Sequence, residues 1–294
     1  MSAPSYFEVR VGNKPGVPYY YIVNPKIRTN LRRLSFGMVE EIRGEILPEF
    51  MRSFDLNADQ SGFRLVIESD RRNNSFNCHL MAGEGVPAQN PQDWTTSTRT
   101  RWKRRAEGDP PSFFDLCAEA ASRNAPEMKF GNAMLYPNLT DGVFGVKDGD
   151  PKAELHFLVL AGWPCGNMAD TGFTSQLWYA FFLSALRILI DHNADNHHIR
   201  YIANCGSGFQ VGPRVHMHVL ASIHPLPSVF PSDYGFEISP DGTIKAPYEG
   251  KEQEEIIKLI RQRALIQGFS EKARIERKRL DSDLLRHLAG ARIS

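Results

Sequence analysis

His216 and His218 stand two residues apart in the stretch Arg214-Val215-His216-Met217-His218-Val219-Leu220. In an extended chain successive side chains alternate faces. Arg214 and both imidazoles therefore share one side, and Val215, Met217 and Val219 take the other. Members of that row are about 6–7 Å apart. A neutral imidazole is a competent nucleophile near pH 7, and a guanidinium offers a planar fork to an anion. Upstream, Gly206, Gly208, Gly212 and Pro213 make a turn-rich segment whose backbone N–H groups can face an anion. The combination suits attack on phosphorus: imidazole forms a covalent bond to the phosphoryl group, cations and amides hold its charge, and water or another acceptor releases it. A structural pair of strand histidines is the plain alternative, and a metal site with His224 or with His192, His197 and His198 is another. No Cys/His spacing supports the latter. Neither a carboxylate cluster nor a Gly-x-x-x-x-Gly-Lys-Ser/Thr loop is present to hold Mg²⁺ with phosphates, so no metal and no cofactor is expected.

A strand must carry this row, and the flanking pattern supplies its neighbours. Phe173–Ile190 reads as a long helix with Trp178, Phe181, Phe182, Ala185 and Leu189 on one face, a core stripe. Leu155–Leu160, Ile199–Ala203 and Val215–Ala221 read as strands, as do Asn132–Leu135 and Val143–Val146. Earlier in the chain, Tyr6–Val11 and Tyr19–Val23 form a strand pair around a turn, and Phe63–Ile67 and Phe76–Met81 are two further strands. Leu31–Phe54 carries apolar residues at helical spacing, and Gly44 and Pro48 are expected to kink or split it. Phe113–Ser122 is a short helix.

The two halves repeat. Asp55-Leu-Asn57-Ala58-Asp59 matches Asp191-His-Asn193-Ala194-Asp195, an offset of 136 (191 − 55). At that offset Tyr21-Ile22-Val23 falls on Phe157-Leu158-Val159, Ile42 on Trp178, Ile46 on Phe182, Phe50 on Leu186, Arg64 on Arg200 and Pro15 on Pro151. Agreement over about fifty residues favours an internal duplication over two unrelated strand–helix–strand units. With a small gap, Asn77 lies over His216. An amide cannot act as a nucleophile of this kind, so the first copy reads as chemically silent.

The second half resembles the histidine triad (HIT) superfamily, whose motif is His-φ-His-φ-His-φ-φ with φ apolar. The resemblance runs over roughly residues 143–221: Asp148, Pro151, His156-Phe157-Leu158-Val159, the long helix, then Asn204, Gly206 and Gln210 before Arg214-Val-His216-Met-His218-Val-Leu. It implies that His216 is the nucleophile toward the α-phosphate of a nucleotide ester, anhydride or phosphoramidate, with His218 at the phosphate oxygens or leaving group. It further implies that Asp148 meets ribose hydroxyls, and that Asn204, Gly206 and Gln210 line the phosphate path. His156 reads as a core-edge residue beside the substrate. Arg214 replaces the first histidine of the motif, which bears on how the nucleophile's tautomer is set. Val211 stands where many members have a small polar residue. The uridylyltransferase branch carries Gln where His218 stands here, so hydrolase-type chemistry is favoured. Phosphorylase or uridylyltransferase-like transfer to phosphate or a sugar phosphate is one alternative, and a non-catalytic nucleotide- or RNA-binding protein is another.

Composition narrows little else. A chain of 294 residues, 41% hydrophobic and 23% charged with net charge +1, is an ordinary globular protein with no global pull toward nucleic acid or membrane. Its four cysteines form no Cys-x-x-Cys pair, and no basic-then-apolar leader is evident, so a cytoplasmic location is expected. Arg99–Arg105, five cations around Trp102, is read as a solvated loop, with a lip for polyphosphate or single-stranded RNA as the sharper alternative. The resulting expectation is an α+β chain: two HIT-like units of antiparallel sheet plus helix arranged as an intramolecular pseudo-dimer. The degenerate unit spans residues 1–86, a connection 87–130, the catalytic unit 131–248 and a helical tail 249–294.

Overall fold

A computed structural model describes residues 5–27, 29–56, 62–69, 76–83, 86, 111, 113–122, 129–130, 133–140, 142–148, 151–162, 168–169, 172–206, 209–210, 214–234, 237–238 and 244–245, and scattered positions from 255 to 286. The protein is α+β, built on one antiparallel sheet. In chain order the strands are β1 (Phe7–Val11), β2 (Tyr19–Pro25), β3 (Phe63–Ser69), β4 (Asn77–Ala82), β5 (Lys129–Phe130), β6 (Ala133–Thr140), β7 (Val143–Lys147), β8 (Leu155–Ala161), β9 (His198–Cys205) and β10 (His216–Ser222). They lie side by side as β1-β2-β4-β3-β9-β10-β8-β7-β6-β5. A two-stranded ribbon of β11 (Glu237–Ile238) and β12 (Ile244–Lys245) stands apart.

The order reads nearly the same from both ends, and the register is the reason. β3 and β9 run antiparallel with Val66 opposite Ile202, Arg64 opposite Asn204 and Glu68 opposite Arg200. Val66 and Ile202 are themselves 136 residues apart, so a local two-fold axis passes between them. β1 and β7, and β2 and β8, keep the same separation over their whole lengths. His79 pairs with Ile22 and Val66, whereas His218 pairs with Leu158 and Ile202. His79 and His218 thus hold equivalent ladder positions, and Asn77 falls on His216.

Alternation in these strands sends one set of side chains to each face. Val23, Leu65, Ile67, Leu80, Phe157, Val159, Tyr201, Ala203, Met217 and Val219 face the helices and form the main core. The first helical segment starts at α1 (Phe36–Glu41), capped by Ser35 Oγ accepting from Met38 N. It passes through a π turn at Ile42–Ile46 that contains Gly44, then continues as α2 (Leu47–Ser53) with Pro48 in its first turn. The expected interruption is a widened turn rather than a break, and a short 3₁₀ turn at Leu31–Arg33 precedes it. α3 (Phe113–Ser122) follows. α4 (Ser175–Asp191) is continuous and buries Trp178, Phe181, Phe182, Ala185, Ile188 and Leu189. Each large side chain in that stripe contributes about 1.5–3 kcal/mol of transfer energy. Trp178 also donates Nε1–H to the carbonyl of Met168 at 2.9 Å.

The opposite face is covered too. Tyr20, Val66, Met81, Ile202 and Leu220 pack under Phe209, Val229 and Phe230. Phe144, Val146, Leu158 and Leu160 pack under Cys117, Ala118 and Ala121 of α3. The stretch read as a connection therefore contributes α3 to this face and β5 to the sheet edge. Arg99–Arg105 lies outside the described residues. Of the tail, only scattered positions are described; these are helical, with Leu259 and Leu280 buried.

Candidate active site

β10 begins at His216, and its alternation separates the site from the core: Val215, Met217 and Val219 enter the main core, and the histidines point to the α3 side. There His216 meets the ring of Phe114 with centroids 5.1 Å apart and the ring of His218 at 5.2 Å. His216 is 4% exposed. Its Nδ1 lies 3.0 Å from the carbonyl oxygen of Arg214. A carbonyl only accepts, so Nδ1 carries the proton and Nε2 holds the lone pair. Burial pushes the pKa of His216 below its ordinary value, against the opposing effect of that backbone bond.

His218 stacks on His156, centroids 5.3 Å apart at 25°, with His156 Nε2 3.0 Å from His218 Nδ1. The amide N–H of Lys152 donates to His156 Nδ1 at 3.3 Å. The contact between His156 Nε2 and His218 Nδ1 holds one proton, on either ring. Asp148 Oδ2 sits 3.2 Å from His156 Nδ1, placed to meet any positive charge on that ring. Burial, then the positive charge of His216, His156 and Arg64, holds His218 well below the usual histidine range. His156, read as a core-edge residue, is buried but hydrogen-bonded into the histidine row.

Asn204 comes from β9, next to β10, and accepts from Arg64 Nε at 2.8 Å. The Arg64 guanidinium lies 5.4 Å from the Phe209 ring centroid. After Asn204 the chain turns at Gly206, whose φ of 76° is a conformation that glycine adopts without penalty. Gly206 O accepts from Gln210 N at 3.1 Å, and Gln210 Oε1 accepts from Gly206 N at 3.4 Å. That reciprocal closure buries Gln210 completely. Gly208, Val211, Gly212 and Pro213 lie outside the described residues.

Arg214 lies just before the strand. Its Nε donates to Asp115 Oδ1 of α3 at 2.6 Å, and its Nη1 reaches Ala161 O at 3.5 Å. The side chain that the sequence offers to a phosphate is thus held by a carboxylate 99 residues upstream in the chain. Phe114, Asp115 and Arg64, none of them expected from the sequence at this place, lie against His216, Arg214 and Asn204 respectively. The pattern around Phe114 and Asp115 showed only an amphipathic helix. Arg64 was visible as the counterpart of Arg200, but not as a neighbour of Asn204. Among the described residues no group of three or more His, Cys, Asp or Glu is arranged to hold a metal ion, and no helix is long and apolar enough to cross a membrane.

No protein-family model matches the chain, and no curated protein matches it. Solved structures with a similar course of the chain include a GalT-like protein from Arabidopsis thaliana, at 9% identity over 87% of this chain and 84% of that one, with a TM-score of 0.48. A uridylyltransferase matches at 11% identity over 96% of this chain and 88% of the other, TM-score 0.47. Yeast Ap4A phosphorylase in complex with AMP matches at 9% over 92% and 77%, TM-score 0.44.

Proposed function

We propose that this chain transfers or hydrolyses a nucleotide at its α-phosphate through a covalent bond to His216 Nε2. The observation that carries the reading is the tautomer: the Arg214 carbonyl accepts from Nδ1–H, so the lone pair lies on Nε2. Substitution of the motif's first histidine by Arg214 leaves that bond intact, because any residue supplies a main-chain carbonyl.

In the first step the Nε2 lone pair forms the N–P bond as the bond from phosphorus to the leaving group breaks, and the leaving group takes that electron pair. His216 then carries phosphoryl on Nε2 and hydrogen on Nδ1, and its positive charge is stabilised by the Arg214 carbonyl. His218 stands toward a phosphoryl oxygen or the leaving oxygen, and Asn204 and the Gly206 turn hold the remaining phosphate oxygens. In the second step water, inorganic phosphate or a sugar phosphate attacks phosphorus, and the N–P electron pair returns to Nε2. The retained His218 favours hydrolysis; transfer to phosphate or sugar phosphate uses the same intermediate. The doubled register supports an internal duplication in which the first unit has lost its nucleophile at Asn77.

A second reading, of a nucleotide- or RNA-binding protein without turnover, draws on α3, because Phe114 covers His216 and Asp115 occupies Arg214. One experiment separates the two. The chain is mixed with α-³²P-labelled nucleoside triphosphates and quenched in alkali. Label that is stable to alkali, labile to acid and absent from His216→Ala establishes the enzyme; saturable binding with no label and no turnover establishes the binder.

A further inference from the structure

Among the described residues β1 is one end of the sheet. Its ladder with β2 settles which of its main-chain groups face outward. Lys26 N donates to Tyr6 O and Gly12 N donates to Tyr20 O, each at 2.8 Å, so the even-numbered residues of β1 bond to β2. The alternate residues of an antiparallel strand point their N–H and C=O groups the other way, here away from the sheet at Phe7, Val9 and Val11. The Phe7 end is closed: its N–H donates to Glu41 Oε1 at 3.4 Å, and its carbonyl accepts from Ser5 Oγ at 3.0 Å. Val9 and Val11 lie on the open edge, 40% and 75% exposed. An apolar edge strand with neither Lys nor Pro in it is a template for another strand. The second half shows the same edge filled. There β7, the counterpart of β1, is continued by β6, with Leu135 opposite Val146 and Tyr136 opposite Gly145.

Charge selects what fits there. Glu8 and Arg10 are exposed and share the face opposite to that of Phe7, Val9 and Val11. A second β1 laid antiparallel and centred on Val9 sets Glu8 against Arg10 of the other copy, twice, and Val9 against Val9. Arg10 already bonds Glu8 of its own strand at 2.8 Å, so pairing closes a square of alternating charges. Moving the centre by one residue sets Glu8 against Glu8 or Arg10 against Arg10, and like charges directly opposite are unfavourable. In the Val9 register the two Val9 residues exchange both main-chain bonds. Each Val11 N–H meets a Phe7 carbonyl, which has a second lone pair. We infer that β1 is a self-complementary edge through which two copies of this chain pair, joining their sheets across a two-fold axis at Val9. The strand is five residues long, so the contact belongs to the small, weak class of interfaces, with a dissociation constant of about 10–100 μM. β1 lies five strands from β10, so this pairing and the chemistry at His216 stand or fall separately.

The test is sedimentation velocity of the full chain from about 2 to 400 μM, a range that brackets the expected constant, with amide hydrogen exchange across β1 followed over the same series. The wild type should dimerise as concentration rises, and the amides of Val9 and Val11 should exchange more slowly in the dimer. Val9→Pro removes an outward N–H and leaves the β1/β2 ladder whole, so it should fold and stay monomeric at every concentration. Glu8→Arg sets arginine against Arg10 twice and should raise the dissociation constant about 10-fold. Adding Arg10→Glu to that variant restores opposite charges and should return the constant to near its wild-type value. A wild type that stays monomeric throughout overturns the inference and leaves the edge to an occupant of another kind, such as an extended segment of a different protein. A dimer that survives Val9→Pro, or one indifferent to Glu8→Arg, overturns it by placing the contact on another surface. If Val9→Pro does not fold, the charge variants decide: a double variant as weak as Glu8→Arg alone overturns the pairing.

Discussion

The Nδ1 of His216 bonds the carbonyl oxygen of Arg214, two residues upstream on the same chain, at 3.0 Å. A main-chain acceptor therefore sets the tautomer of His216, the proposed nucleophile, while the Arg214 side chain bonds Asp115. Arg214→Gln should leave the imidazole ¹⁵N shifts of His216 those of an Nδ1–H ring. It should lower stability by about 1–3 kcal/mol, because Asp115 loses the partner of a partly buried charge-assisted bond. Urea unfolding together with the ¹⁵N spectrum checks both; a change of tautomer would place control in the side chain.

Asp115 fastens α3 over the site through Arg214 Nε at 2.6 Å, and the same helix sets Phe114 against His216. Losing that bond raises the open population by the bond's net worth, about 1.5–3 kcal/mol, or about 10- to 100-fold. Asp115→Asn should raise the rate at which diethyl pyrocarbonate modifies His216 by that factor, as read by peptide mapping. An unchanged rate would mean that α3 does not gate access.

The strands and the long helix were legible because their apolar periods are strong. Leu155–Ala161 is buried throughout, and α4 carries one unbroken stripe. The sequence matches residues 15–64 to 151–200 at an offset of 136 without gaps, and the strand pairs β1/β7 and β2/β8 keep that separation. What the sequence did not contain was sheet order. Pairing of β3 with β9 joins residues about 140 apart, and period-two patterns carry no information on which strand lies next to which. Arg64 and Asn204 were each visible, but their bond was not. The Asp115–Arg214 pair is equally non-local: a carboxylate on a short amphipathic helix gives no hint of the strand it will reach. The interruption at Gly44 and Pro48 was legible as a helix defect, while its form, a π turn, is set by packing.

Burial shapes the response to acid. His79, His216 and His218 are all pushed below their ordinary pKa, with desolvation the first cause in each. Once pH falls below about 6.5 the unfolded chain binds protons that the folded chain refuses. Stability is therefore full above that pH and declines as pH drops toward the lowered folded values. Each histidine contributes up to about 1.4 kcal/mol per pH unit across that window. Urea midpoints should stay flat from pH 8 to 7 and fall steeply from 6.5 to 5, with a shallower fall in His218→Asn. A midpoint that holds steady to pH 5 would show that these rings are charged in the folded protein.

Gly206 sits at φ 76°, where its amide and carbonyl close on Gln210 and the chain leaves Asn204 for the histidine strand. A side chain there costs about 1–2 kcal/mol of backbone strain, or shifts the turn to relieve it. Gly206→Ala should therefore lose about that much stability. It should also slow labelling of His216 at saturating nucleotide by more than it weakens nucleotide binding, since displacing Asn204 and Gln210 disturbs the geometry of attack. Comparing the single-turnover rate with the AMP dissociation constant in the same variant separates the two effects. Equal losses in both would mean that the Gly206 turn serves only to bind phosphate.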